Sequence, residues 1–252
     1  MIKLNKIRSL LAVFSLLLIT WSSLAKQAPV VVFVHGSWGG GWDYKTMQSL
    51  LQQRGFVVYR PTLTGLGERV HLNTPDVNLD THILDIVNLI VFEELDDVIL
   101  VGHSYGGMVI SGVADKIPEK IKHLVYMDAL LPEHGESVFS LSEPEYVAHL
   151  KQLADNNKGQ EWAIPPYWPD WGKDVPHPMA TYQQPISLTN PKAKNIAATY
   201  VLAVEPSSDN DSFKMFAERA KQRNYRYLEL PTSHNMQRTM PERYADIIND
   251  LR

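Results

Sequence analysis

Apolar residues along this chain fall into short continuous runs separated by longer stretches of mixed, helical spacing. Val30-Val31-Val32-Phe33-Val34 follows Pro29, Phe56-Val57-Val58-Tyr59 ends before Pro61, and Val98 to Val101 and Leu124 to Met127 repeat the pattern. Thr199 to Val204 and Tyr225 to Leu230 complete a set of six. Uninterrupted β-branched and aliphatic runs of this kind suit strands buried on both faces of a parallel sheet. Between them the spacing predicts a helix from about Trp42 to Arg54, stopped by Gly55. It predicts another from an Asp80 or Thr81 cap to about Glu94, with Ile83, Ile86, Val87 and Ile90 on one face. Further helices follow Ser104 to Asp115, span about Phe213 to Arg223, and open at Pro241. Strands alternating with helices give an α/β fold, a mostly parallel sheet of about six strands covered on both sides.

Two stretches break the rhythm. Lys3, Lys6 and Arg8 precede an apolar segment from Leu10 to Trp21, and Ser23-Leu24-Ala25 places small residues where a signal peptidase reads. Residues 1–25 are therefore expected to be a signal peptide, leaving a 26–252 domain exported to the periplasm or the medium, without stable membrane association after cleavage. An uncleaved N-terminal anchor is the alternative. The second stretch, about 131–195, carries six prolines between Pro165 and Pro185 along with Trp162, Trp168 and Trp171. It is expected to be a cap inserted over the carboxyl edge of the sheet, where open α/β sheets bind ligands.

Composition narrows the chemistry. The chain has 252 residues, 44% of them hydrophobic, enough for one domain with a sizeable core. Its net charge of −4 without a basic tract gives no reason to expect nucleic acid as a partner. There is no cysteine, hence no disulfide framework and no thiolate chemistry. The nine histidines show neither metal-ligand spacing nor a His-Glu-x-x-His pattern, so no metal is expected.

The chemistry-bearing run is Val98 to Gly107, an apolar strand entering Gly102-His103-Ser104-Tyr105-Gly106 ahead of a helix. That strand–sharp turn–helix context raises one serine above a sheet as a nucleophile, with the outer glycines giving room to the neighbouring strand and helix. A serine hydroxyl needs a base. His234, after the last strand, lies on the same sheet edge, whereas His103 is expected to point into the fold and His35 to bond to nearby backbone. The backbone amides of Ser37 and Tyr105 are expected to form the oxyanion hole, with the glycines at 36, 39, 40 and 41 letting the loop approach a carbonyl. Three carboxylates compete to orient His234: Asp128 at a strand end, and Glu205 and Asp209 after the next strand. Asp128 is favoured because a carboxylate in an apolar segment needs a partner if buried. Trp162, Trp168 and Trp171 are candidate walls of an apolar or aromatic acyl pocket, or plain packing.

With those residues in place, the chain resembles the α/β-hydrolase superfamily, and within it the group of plant methylesterases, hydroxynitrile lyases and bacterial carboxylesterases. The resemblance is carried by Val32 to Trp38, Val98 to Gly107, Leu124 to Pro132 and His234, with Pro61 to Arg69 similar to the bacterial branch. It implies hydrolysis of small esters through an acyl-serine intermediate, with no cofactor. Asn235 stands where the lyases of this group carry lysine, which argues against cyanohydrin cleavage. Pro206 stands near the slot where relatives keep their acid, while related haloalkane dehalogenases use a carboxylate where Asp128 stands. Lactone or thioester cleavage on the same site, or a receptor-like protein with little turnover, are the rival readings.

Overall fold

The computed structural model describes residues 28–166, 172–204 and 213–252. Six parallel strands form the main sheet: β1 (Val30–Val34), β2 (Val57–Tyr59), β3 (Val98–Ser104), β4 (Ile121–Ala129), β7 (Ala197–Ala203) and β8 (Arg226–Leu230). Their spatial order is β2-β1-β3-β4-β7-β8. The chain leaves β1 toward β2 on one side and resumes at β3 on the other, so the connections diverge above the carboxyl ends of β1 and β3. A crevice at such a switch point is where open α/β sheets take ligands.

The continuous apolar runs are explained by two cores. Val30, Val32 and Val34 of β1 pack into one, and Val31 and Phe33 into the other. The first is covered by α2 (Leu79–Phe92), α3 (Gly106–Lys116) and α6 (Lys214–Gln222). The second is covered by α1 (Lys45–Gln53) and α8 (Pro241–Asn249) through Met47, Leu51, Tyr244, Ile247 and Ile248. With both faces buried, a strand shows no alternation of polar and apolar positions.

Several boundaries differ from the sequence reading. The α2 helix is capped by Asn78, whose side chain accepts from the Thr81 amide at 3.1 Å while the Thr81 hydroxyl accepts from the Asn78 amide. Asp80 and Thr81 are thus inside the first turn, because this reciprocal pair satisfies two orphan donors at once. Helical residues near Trp42 begin as a 3-10 turn, Gly41–Tyr44, before α1. The β4 strand is longer than expected, since Ile121 and His123 at one end and Ala129 at the other pair with β3.

Between β4 and β7 the chain forms α4 (Pro144–Asp155), a two-residue antiparallel pair of β5 (Ala163–Ile164) with β6 (His177–Pro178), and the short α5 (Ala180–Gln183). The remaining short helix, α7 (Met236–Thr239), follows β8. Residues 1–25, Trp168, Trp171, Glu205 and Asp209 lie outside the described residues.

Candidate active site

Ser104 ends β3 with φ +53°, a left-handed conformation that a side chain rarely adopts unless its surroundings enforce it. Glycine at 106 is compulsory here: a Cβ would stand 2.5 Å from the Val34 carbonyl oxygen. At Gly102 it would stand 2.7 Å from the Gly106 carbonyl. Helix α3 therefore starts almost in contact with β1 and β3, and the tight turn pushes Ser104 outward. The Leu130 amide donates to the Ser104 carbonyl at 3.0 Å, tying the elbow to the end of β4.

That strand end supplies the carboxylate. In the β3–β4 ladder His103 faces Met127 and Ser104 faces Ala129, so Asp128 is skipped. The irregularity, with φ +45° at Asp128, turns its side chain along the sheet edge instead of into a core. Its Oδ2 accepts from His234 Nδ1 at 2.6 Å, and its Oδ1 accepts from the Ala203 amide at 3.0 Å. Asp128 is buried, and both oxygens are satisfied, as a buried carboxylate requires. Because Nδ1 carries the proton, Nε2 of His234 is left as the basic nitrogen.

The imidazole of His234 lies between two rings. Phe213 stacks on it at 4.9 Å and 22°, and His103 lies 4.5 Å away. His103 donates from Nε2 to the His234 carbonyl at 2.9 Å, which fixes the loop that carries His234. Burial pushes the pKa of His103 well down, and a charge on His234 lowers it further. It is held neutral beside His234.

The loop after β1 faces Ser104 from the other side. The amides of Ser37 and Tyr105 donate to no described residue, and a Cβ at Gly36 would stand 3.0 Å from that of Ser104. His35 is held by backbone on both sides: its Nε2 accepts from the Leu63 amide at 3.1 Å, so Nδ1 donates to the Gly36 carbonyl at 2.7 Å. It is neutral, its pKa lowered by burial, and has no lone pair to offer a substrate. Trp38, at φ +62°, donates from Nε1 to the Ile164 carbonyl at 3.0 Å and accepts from the Val175 amide at 3.0 Å, fastening the loop to the inserted segment.

Trp162 is half-buried beside this junction, its Nε1 donating to Asn73 Oδ1 at 3.0 Å. The sequence reading overlooked Phe213, His82, His177, Thr181 and Tyr182. The last four sit in aperiodic or helical context with no motif, and only their burial around Ser37 and Tyr105 marks them. Among the described residues no group of three or more His, Asp or Glu is arranged to hold a metal ion. A cavity of about 550 Å³ opens on the flank of α3 and β4, lined by Ser111, Tyr126, Asn190 and Tyr225. It touches none of Ser104, Asp128 or His234, so volume and chemistry point to different places; the strained serine and the paired imidazole and carboxylate make the sheet edge the candidate site.

A family model described as the alpha/beta hydrolase family matches residues 31–247. The chain is 40% identical over 235 residues to a carbendazim hydrolyzing esterase from a Nocardioides species, covering 85% of this chain and 96% of that protein. It is 27% identical to a pyrethroid hydrolase of Sphingobium wenxiniae, over 88% of this chain and 86% of that one. Among solved structures, an extracellular alpha/beta-hydrolase from a Paenibacillus species superposes with a TM-score of 0.77 at 24% identity, covering 88% of this chain and 98% of the other. With the six-stranded parallel sheet and the elbow at its edge, these likenesses establish that the chain belongs to the α/β-hydrolase family.

Proposed function

We propose that the protein is a serine esterase, exported from the cell, that hydrolyses small apolar or aromatic esters. The observation that carries it is the 2.6 Å contact between His234 Nδ1 and the buried carboxylate of Asp128, on the same sheet edge as the strained Ser104. Ser104 Oγ attacks the ester carbonyl as its proton passes to His234 Nε2. The carbonyl oxygen takes the negative charge and is held by the Ser37 and Tyr105 amides. The C–O bond to the alcohol then breaks, His234 returns the proton to the departing oxygen, and an acyl-serine remains. Water, deprotonated by the same imidazole, attacks the acyl carbon; Ser104 leaves and is reprotonated, freeing the acid. Asp128 holds the imidazole in the required tautomer and stabilises its charged form.

Trp162, anchored through Asn73 against the segment facing Trp38, is the described candidate for an acyl-pocket wall. Its relative's activity makes carbendazim a substrate to try beside a p-nitrophenyl ester panel. Turnover with an initial burst, and a phosphonate adduct on the Ser104 peptide, are the expected results. Binding without burst or turnover, with ligand affinity retained in Ser104→Ala, would instead identify a receptor-like protein. Export has its own check: the protein recovered outside the cytoplasm should begin at Lys26, and an intact N-terminus in the membrane fraction would refute cleavage.

A further inference from the structure

One side chain of the inserted segment reaches both Ser37 and Tyr105, the residues proposed above to supply the oxyanion-binding amides. Tyr182, on α5, is buried, and its hydroxyl is hydrogen-bonded to Ser37 Oγ. Its ring stacks on that of Tyr105 at 5.7 Å and 25°. His177, beside it, accepts the Trp38 amide on Nδ1 at 3.3 Å and lies edge-on to Tyr105 at 4.9 Å. Ser37 and Trp38 form one wall of the oxyanion hole and Tyr105 forms the other. Two side chains from the same segment therefore grip both walls.

The surrounding hydrogen bonds fix this grip in one arrangement. Because His177 Nδ1 accepts, its Nε2 donates to Thr181 Oγ1 at 2.8 Å, and Thr181 donates to the Pro178 carbonyl at 2.7 Å. His82 donates from Nε2 to the Thr64 carbonyl at 2.8 Å, leaving its Nδ1 to accept the Tyr105 hydroxyl at 3.0 Å. The imidazole protons of His82 and His177 are thereby assigned to Nε2. Phe139 closes the far side of Tyr182, its ring edge-on at 5.9 Å and its amide donating to the Tyr182 carbonyl at 3.0 Å. Burial raises the Tyr182 phenol above its ordinary pKa and lowers both imidazoles, so the network remains uncharged at neutral pH.

We propose that Tyr182 is a positioning residue for catalysis, setting the separation of the Ser37 and Tyr105 amides through its hydroxyl on one and its ring on the other. This rests on the esterase reading above. The loop after β1 is rich in glycine and does little by itself to fix the Ser37 amide. Something outside it must hold Ser37 at the distance where an oxyanion, not a ground-state carbonyl, is best bound. The inserted segment thereby acts on the chemical step as well as on the shape of the acyl pocket.

The test is a double-mutant cycle read by kinetics. Tyr182→Phe keeps the ring stack and removes the hydroxyl, and Ser37→Ala removes its partner while keeping the amide. Each is expected to lower kcat about tenfold, a partial misplacement of the donors, with KM within about twofold. The double variant should lose no more than either single one, because both remove the same contact. Phosphonylation of Ser104 should slow in step with kcat. Wild-type kcat in both single variants, or losses that multiply in the double one, would overturn the proposal. If Tyr182→Phe does not fold, Ser37→Ala alone decides: a kcat loss at constant KM supports the contact and unchanged kcat rejects it. Failure of the phosphonate to label Ser104 in the wild-type protein would overturn the esterase reading itself, whereas labelling that is equally fast in the variants would sink only the role of Tyr182.

Discussion

Two regions meet at Ser104, and they hold it by different means. The β3–α3 elbow is a backbone device: a carbonyl of β1 and a carbonyl of α3 exclude any Cβ at Gly106 and Gly102, and the serine is forced to φ +53°. The segment between β4 and β7 contributes side chains instead, a hydrogen-bonded set of His177, Thr181 and Tyr182 packed on the loop after β1. A backbone device is rigid and local; steric exclusion leaves few alternatives to a turn. A side-chain device tunes distances by tenths of an ångström and depends on contacts from far along the chain. The proposed nucleophile sits on the first, and the second packs against the residues proposed to supply the oxyanion-binding amides.

The largest effect that separates the regions falls on the elbow. Ser104→Ala should abolish turnover, by about 10⁶-fold in kcat, while the far-ultraviolet dichroism stays that of the wild type. Retained turnover would move the nucleophile elsewhere. Next is Asp128→Asn. Its oxygen can still accept from the Ala203 amide, but its amide group meets the Nδ1–H of His234, so the ring must turn or change tautomer. The expected loss is about 10⁴-fold in kcat. Glu205→Gln and Asp209→Asn in parallel should cost only a few-fold by comparison; a loss in either that matches Asp128→Asn would reassign the acid.

How much of each region was legible in the sequence follows from the same contrast. Val98 to Val101 and Val30 to Val34 announce strands buried on both faces, and the five-residue elbow follows one of them. Those signals are local, and the sheet and Ser104 could be read from them. Asp128 was readable as a candidate because a carboxylate after Tyr126-Met127 is out of place in an apolar run. Its contact with His234, 106 residues away, depends on the skipped register beside His103, which no pattern encodes. Nothing around Tyr182 has a period or a motif, and its partners Ser37 and Tyr105 lie 145 and 77 positions upstream. The Asn78 cap was missed for a smaller reason: Asn78, Asp80 and Thr81, three polar residues within four positions, offer similar capping chemistry, and only the reciprocal bond with Thr81 chooses among them.

Buried histidines in and around both regions also carry a pH signature. His35, His82 and His177 are buried and neutral, as is His103 beside His234, and burial lowers each pKa, that of His82 to about 4. Unfolded, each would titrate near its ordinary value, so between the two values the unfolded chain binds the extra protons. Stability is therefore full above about pH 6.5 and falls as the pH drops toward the folded values. For His82 the loss by pH 5 is about 2 kcal/mol, and the other three act in the same direction. Urea midpoints at pH 7.5 and pH 5 check it; a midpoint that rises on acidification contradicts the neutral, buried assignment.

The smallest effect separates anchoring the inserted segment from tuning it. Asn73 is buried and reaches the two strands of the β5–β6 pair near their starts, its Oδ1 accepting from Trp162 and its Nδ2 donating to the Pro176 carbonyl at 2.8 Å. Asn73→Ala removes both bonds, at a cost of about 2 kcal/mol, roughly two ordinary hydrogen bonds. None of the contacts of Tyr182 with Ser37, Tyr105 or Phe139 passes through Asn73. If the grip on the oxyanion walls belongs to Tyr182, the loss should appear as faster proteolysis within residues 160–178, with Ser104 phosphonylated at close to the wild-type rate. A fall in that rate matching the one in Tyr182→Phe would mean the segment acts as one rigid piece, its anchors and its tuning contact inseparable.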